Sequence, residues 1–313
     1  MIEEFQPIYQ PRIWGGRKLE TMLHREIPAK ESIGESWELV DRPETQSVRK
    51  SDGKTLHDLW NSSDRATIFG TDAPNVERFP ILIKILDATD KLSVQVHPPA
   101  AQAAKLGGEP KTEMWYFLHT DANALIYVGL KKGVTQARFE QALTNGSAAE
   151  CLHTLHTAPR EVMYLPSGRL HTIGAGNLIL EIQQNSDTTY RVYDWDRVDA
   201  MGRKRDLHIE KSLACIRFDD YEPTFTQPHG ERILNTPFFD VSRINLYERE
   251  EREIVVDTRS FQYLFIAAGT VKIGGKEYHT GHSLFLSAGT GFLEVEGTSE
   301  TNDIVIVSFP KSR

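Results

Sequence analysis

Cysteine is nearly missing from these 313 residues: only Cys151 and Cys215 occur. That excludes a disulfide framework and makes a reducing compartment the simple expectation. Long apolar runs are missing too, and none approaches the ~20 residues that a membrane span needs. The opening Met1-Ile2-Glu3-Glu4-Phe5-Gln6-Pro7 places acids where a signal peptide carries basic residues, and no apolar stretch follows. The expectation is a cytoplasmic protein with no membrane partner. Basic charge is in deficit, with 36 Lys and Arg against 44 Asp and Glu for a net charge of −8. A nucleic-acid partner would favour a basic face, so none is expected, although a small pocket for a phosphorylated substrate can still be locally basic. Nucleotide loops are absent as well. Gly174-Ala175-Gly176 lacks the third glycine and the strand–helix context of a dinucleotide loop, and Gly275-Lys276 has Thr270 where a P-loop needs its first glycine. No HExxH occurs. No regular strand–helix alternation appears, which disfavours Rossmann and TIM folds.

What is present is a succession of short strands separated by turns. Leu92–His97 alternates with period two and so places Ser93, Gln95 and His97 on one face. Other strand candidates are 79–86, 113–118, 124–128, 162–165 and 177–183. After residue 230 the pattern resumes over 238–246, 253–257, 262–267, 283–286, 292–295 and 303–309. Gly274-Gly275 inside Val271–Tyr278 is a two-residue hairpin signal. Helices are expected over 55–60, 136–143 and 148–156, the last placing His153 and His156 on one face. The pattern predicts an all-β-dominated chain with a few short helices, built as antiparallel barrels. The length suggests two domains at roughly 100–200 residues each. The boundary is expected near Gln227–Gly230, giving 1–226 as the metal-binding unit and 227–313 as a second, related one.

Polar residues that can ligate a metal recur at strand ends. Gln95 and His97 share a face, Glu113 opens another strand, and His171 closes Pro166-Ser167-Gly168-Arg169-Leu170-His171. That last segment has the form P-x-G-x-x-H, in which Pro and Gly make a tight turn and present the histidine inward, as in the second signature of cupin barrels. Two imidazoles, a carboxylate and an amide oxygen are a reasonable ligand set for one divalent cation. Taken singly, each is more often a satisfied core or surface residue. The metal reading rests on their recurrence in segments that a barrel brings together.

Several blocks resemble the type I mannose-6-phosphate isomerases in their short bacterial form, members of the cupin superfamily. They are Phe79–Pro99 (FPILIKILDATDKLSVQVHPP), Lys111–Tyr116 (KTEMWY), Leu165–Asn177 (LPSGRLHTIGAGN) and Glu181–Arg191 (EIQQNSDTTYR). Arg12–Gly16 and Ile33–Glu38 fit the same pattern. The resemblance covers nearly the whole chain and implies two cupin-like jelly-roll barrels. It implies one Zn2+ per chain, held by Gln95, His97, Glu113 and His171. It implies Arg191 as the catalytic arginine, with Lys111 as a candidate for phosphate binding or proton transfer. Asp187, Trp14 and Glu35 are implied in the substrate pocket. The implied reaction interconverts mannose 6-phosphate and fructose 6-phosphate through an enediol. The expected partner is the sugar phosphate alone, for a monomer or weak homo-oligomer. The helical insertion of the longer forms has no room here.

In the second half, Ser287-Ala288-Gly289-Thr290-Gly291-Phe292 lies on the same turn pattern, with Ser for Pro and Phe for His. Phenylalanine cannot ligate, so one metal site is expected, and His279 and His282 suit a turn better than a ligand set. Two other readings compete. An iron(II) cupin oxygenase could use a His-rich site with open positions, and a sugar-sensing protein could keep the fold without turnover.

Overall fold

The computed structural model describes residues 1–198 and 201–310. The chain is mostly strand with a few short helices, the expected cupin-like β architecture. It divides into two compact units. One comprises Met1–Arg12, Gly16–Ile85 and Thr226–Arg313, and the other Ile13–Gly15 and Leu86–Phe225. One junction falls beside the expected linker at Gln227, but residues 1–12 and 16–85 group with the C-terminal segment instead of with 86–225. Two contacts account for this grouping. Ile2–Glu3 pairs with Ser283–Leu286. Phe69 and Phe79, from the N-terminal part, pack edge-on against Phe261 at centroid distances of 6.3 and 5.4 Å.

In the 86–225 unit, a five-stranded antiparallel sheet runs in the order Tyr190–Tyr193, Val94–Val96, His171–Ile173, Leu125–Leu130, Leu152–His156. A second ladder joins Asn177–Gln184, Glu113–Thr120 and Val162–Leu165. Between them lies an apolar core that includes Trp115, Phe117, Ile126, Val128, Met163 and Ile179. Period-two alternation places alternate residues on opposite faces. Val94, Val96, Tyr190 and Val192 therefore pack outward with Phe139 and Cys215 of the helices Gln136–Thr144 and Ile209–Cys215. Gln95 and Arg191 take the other face. The helix Gln136–Thr144 starts where Thr135 accepts the Arg138 N–H at 3.3 Å, an N-cap that satisfies one of the orphan donors.

In the other unit, a six-stranded and a four-stranded sheet enclose an apolar core that includes Ile244, Ile254, Leu264, Ile266, Val295 and Ile304. The hairpin Thr270–Ile273 to Lys276–His279 turns through Gly274 at φ 56° and Gly275 at φ 83°. Two consecutive positive φ values match the type I′ turn that a Gly-Gly pair favours.

One expected helix is corrected. Residues 148–156 form a short 3-10 turn, Ala148–Cys151, followed by the strand Leu152–His156. Pairing with Leu125–Leu130 overrides the local helical pattern. His153 and His156 thus fall on opposite faces. The strands Ile8–Gly16 and Ile33–Leu39, and the helices Arg65–Phe69 and Ile209–Cys215, lie outside the elements expected from sequence.

Candidate metal centre and active site

Three strands of the 86–225 unit line up a row of polar side chains. Gln95 lies opposite Arg191 on one neighbour and opposite His171 on the other. Directly paired residues in antiparallel strands point to the same face, so Arg191, Gln95 and His171 stand side by side at the ~4.8 Å strand spacing. Glu113 opens its own strand from the facing ladder, and His97 follows directly on Val94–Val96.

His97, Glu113 and His171 are all buried, and their ligand atoms lie within 4.8 Å of one another. His97 Nε2 is 3.4 Å from one Glu113 oxygen, and His171 Nε2 is 3.3 Å from the other. The Gln95 amide nitrogen is 3.3 Å from His171 Nε2.

The tautomers follow from the other ring nitrogens. His97 Nδ1–H donates to the Thr188 carbonyl at 2.8 Å, and His171 Nδ1–H to the Arg169 carbonyl at 2.9 Å. A carbonyl can only accept, so both Nδ1 atoms carry a proton, and in the neutral ring both Nε2 atoms present lone pairs. Lone pairs then face carboxylate oxygens, acceptor against acceptor. Glu113 Oε1 and His97 Nε2 have no hydrogen-bond partner among the described residues, and the other carboxylate oxygen faces the Lys111 ammonium at 3.1 Å. Such buried orphans are costly unless a cation lies between them. The two His–carboxylate separations, each to a different Glu113 oxygen, come close to what one needs. With metal–ligand bonds of 2.0–2.2 Å, a zinc tetrahedron has edges of about 3.3 Å. The Gln95 amide is at that distance as well, and a half-turn of the amide presents its oxygen.

Burial, and next the neighbouring Lys111, lowers His97 to about 3, and burial also lowers His171. Both shifts favour the neutral ring, the form that metal ligation requires. Lys111 is 4 % exposed, with its ammonium 3.1 Å from Glu113. Burial alone would lower its pKa, but Glu113, Glu181 and Asp187 outweigh that and hold the lysine charged. Burial would likewise raise Glu113, and the Lys111 ammonium pulls it well below the usual carboxylate range.

Arg191 donates through one terminal nitrogen to the Asp206 carbonyl at 2.9 Å, and its Nε is buried without a hydrogen-bond partner. Burial and then Arg205 lower its pKa. Asp187 is exposed, in the loop that supplies the Thr188 carbonyl. Trp14 is 4 % exposed and packs with Leu86, Trp115 and Ile173. Glu35 belongs to the other unit. It takes Arg12 at 3.1 and 3.2 Å and the Trp37 indole N–H at 2.6 Å. Burial opposes its charge, but Lys84 and Arg12 more than compensate. Sequence reasoning did not reach Thr188, which acts through a backbone atom, nor Trp115, whose ring meets His171 edge-on at 5.5 Å.

Comparison with known proteins identifies the family. Residues 2–122 match the family model described as phosphomannose isomerase type I, catalytic domain. The mannose-6-phosphate isomerase ManA of Bacillus subtilis is 33% identical over 312 residues, covering 95% of this chain and 96% of the relative. The chain belongs to the type I mannose-6-phosphate isomerases. The family's enzyme from Streptococcus mutans is 36% identical over 281 residues, 85% of each chain. The crystal structure of the Bacillus subtilis mannose 6-phosphate isomerase superposes with a TM-score of 0.83 at 28% identity, covering 98% of this chain and 99% of that one. Among the described residues, no helix is long and apolar enough to cross a membrane.

Proposed function

We propose that the chain is a zinc-dependent aldose–ketose isomerase interconverting mannose 6-phosphate and fructose 6-phosphate through an enediol. The observation that carries the metal part is the acceptor-on-acceptor cluster of His97, Glu113 and His171, whose 3.3–3.4 Å separations match the edge of a zinc tetrahedron. His97, Glu113, His171 and, through its amide oxygen, Gln95 would hold the ion. When bound, it supplies Lewis-acid stabilisation of negative charge on the substrate oxygens.

The chain's own residues provide the rest. Moving a proton between C1 and C2 places negative charge on oxygen, and Arg191, one strand over from Gln95, presents a fixed cation to it. Lys111, held charged by Glu113, acts as a buried ammonium that donates to the substrate and not as a base. Asp187 contributes from the loop that supplies the Thr188 carbonyl and helps to hold Lys111 charged. In this reading Trp14 and Glu35 keep their own segments rigid, the first through packing and the second through its Arg12 and Trp37 bonds. Residues 86–225 are the catalytic unit, and the other unit carries no metal.

The test combines metal analysis with a coupled assay of fructose 6-phosphate formation on one preparation. About one zinc per chain with turnover of mannose 6-phosphate is expected. Undiminished turnover by His171→Ala after chelation would reject the zinc role.

A further inference from the structure

The ligand histidines are oriented by two backbone carbonyls, and one of these belongs to a residue whose side chain is itself clamped. Arg169 lies between Gly168 of the turn and His171. Its carbonyl accepts His171 Nδ1–H at 2.9 Å. Its guanidinium donates to both oxygens of Asp220, at 2.8 and 2.9 Å, and to the Tyr164 carbonyl at 2.7 Å. Tyr164 ends one residue before Leu165, which pairs with Glu113. The single guanidinium therefore ties the start of the turn to its end. Asp220 is anchored in turn, since its carbonyl accepts Leu130 N–H at 3.0 Å and Gly168 O accepts Arg217 N–H at 2.8 Å. Side-chain exposure is 15% for Arg169 and 10% for Asp220, so the fork is shielded enough for bidentate geometry to matter.

We infer that Arg169 and Asp220 are positioning residues for the metal centre, fixing the tautomer and direction of His171 through the Arg169 carbonyl. The inference rests on the metal reading above. A lysine at 169 could not reproduce it, because an ammonium lacks the planar fork that spans Asp220 and Tyr164 together. An apolar residue would free the turn to rock, and with it the carbonyl that aims the ring.

The test compares Arg169→Met, and Asp220→Asn as the milder variant, with the full-length wild-type chain. Zn2+ affinity is measured by competition with a chelating indicator, and the ligand field by the visible absorption of the Co2+-loaded protein. Metal-free thermal unfolding checks the fold. Loss of a partner behind a ligand typically weakens metal affinity by about 10–100-fold. We expect that loss in Arg169→Met, a smaller one in Asp220→Asn, and a changed Co2+ spectrum in both. Wild-type Zn2+ affinity and an unchanged Co2+ spectrum in folded Arg169→Met would overturn the inference and leave the pair a surface staple. A wild-type chain that binds no Zn2+ would instead overturn the metal reading itself.

Discussion

The turns Pro166–Arg169 and Ser287–Thr290 are built alike. Arg169 N–H donates to Pro166 O at 3.1 Å, and Thr290 N–H to Ser287 O at 3.2 Å. Each has a glycine of positive φ in third place, Gly168 at 89° and Gly289 at 70°, as a type II turn requires. Beyond the turns they part. Leu170 leads the first into a strand that buries His171 at 1 % exposure, facing Glu113. Gly291, at φ 87°, leads the second into Gly291–Gly297, where Phe292 is 70% exposed and paired with Val255 on the outer face. The interior behind it is filled by Leu264, Ile266, Leu284 and Ile304. The turn is thus common scaffolding. Ligation depends on which way the next strand aims its first side chain and on whether a carboxylate waits there.

The comparison breaks most severely at His171. Its replacement by Ala should remove bound zinc and lower turnover by about 10³-fold, the several kcal/mol that a Lewis acid supplies; metal analysis and the coupled assay read both. Arg191→Met comes next. A drop in kcat of about 10²–10³-fold is expected with zinc content unchanged, and a loss of zinc instead would place Arg191 in the ligand scaffold. The unit that holds the Ser287–Thr290 turn offers a gentler test. On its outer face Glu253 lies directly opposite Glu294, like charges that a sheet tolerates at a cost. Glu294→Lys should therefore raise stability by about 0.2–1 kcal/mol in denaturant titrations, and a fall would show that the pair is compensated. The smallest expected effect is none. Phe292→His restores the histidine of the turn pattern, with Ser287 still in the proline's place, yet calorimetric zinc titration should still count one tight site, because residue 292 faces solvent.

Much of this was legible in the sequence because the determinants are local. Period two placed Gln95 and His97, and the Pro-x-Gly turn announced His171. The hairpin at Gly274-Gly275 needed only its two glycines. What depended on distant partners was not legible. Leu152–His156 reads as the end of a helix until Leu125–Leu130 is there to pair with it. The grouping of residues 1–12 and 16–85 with the C-terminal segment is decided by packing among Phe69, Phe79, Phe261 and Phe285, far apart along the chain. The Thr188 carbonyl has no side-chain signature at all, so its hold on His97 is visible only in three dimensions.

The buried ammonium of Lys111, 3.1 Å from Glu113, has an electrostatic effect beyond the reaction step. It offsets the only formal charge among the proposed ligands, so a dication held there would add positive charge that Glu181 and Asp187, near Lys111, offset only in part. In a chain with a net charge of −8, that is a local well for anions inside an anion-repelling envelope. In the zinc reading, holding the ion would thus also favour the approach of a phosphorylated sugar.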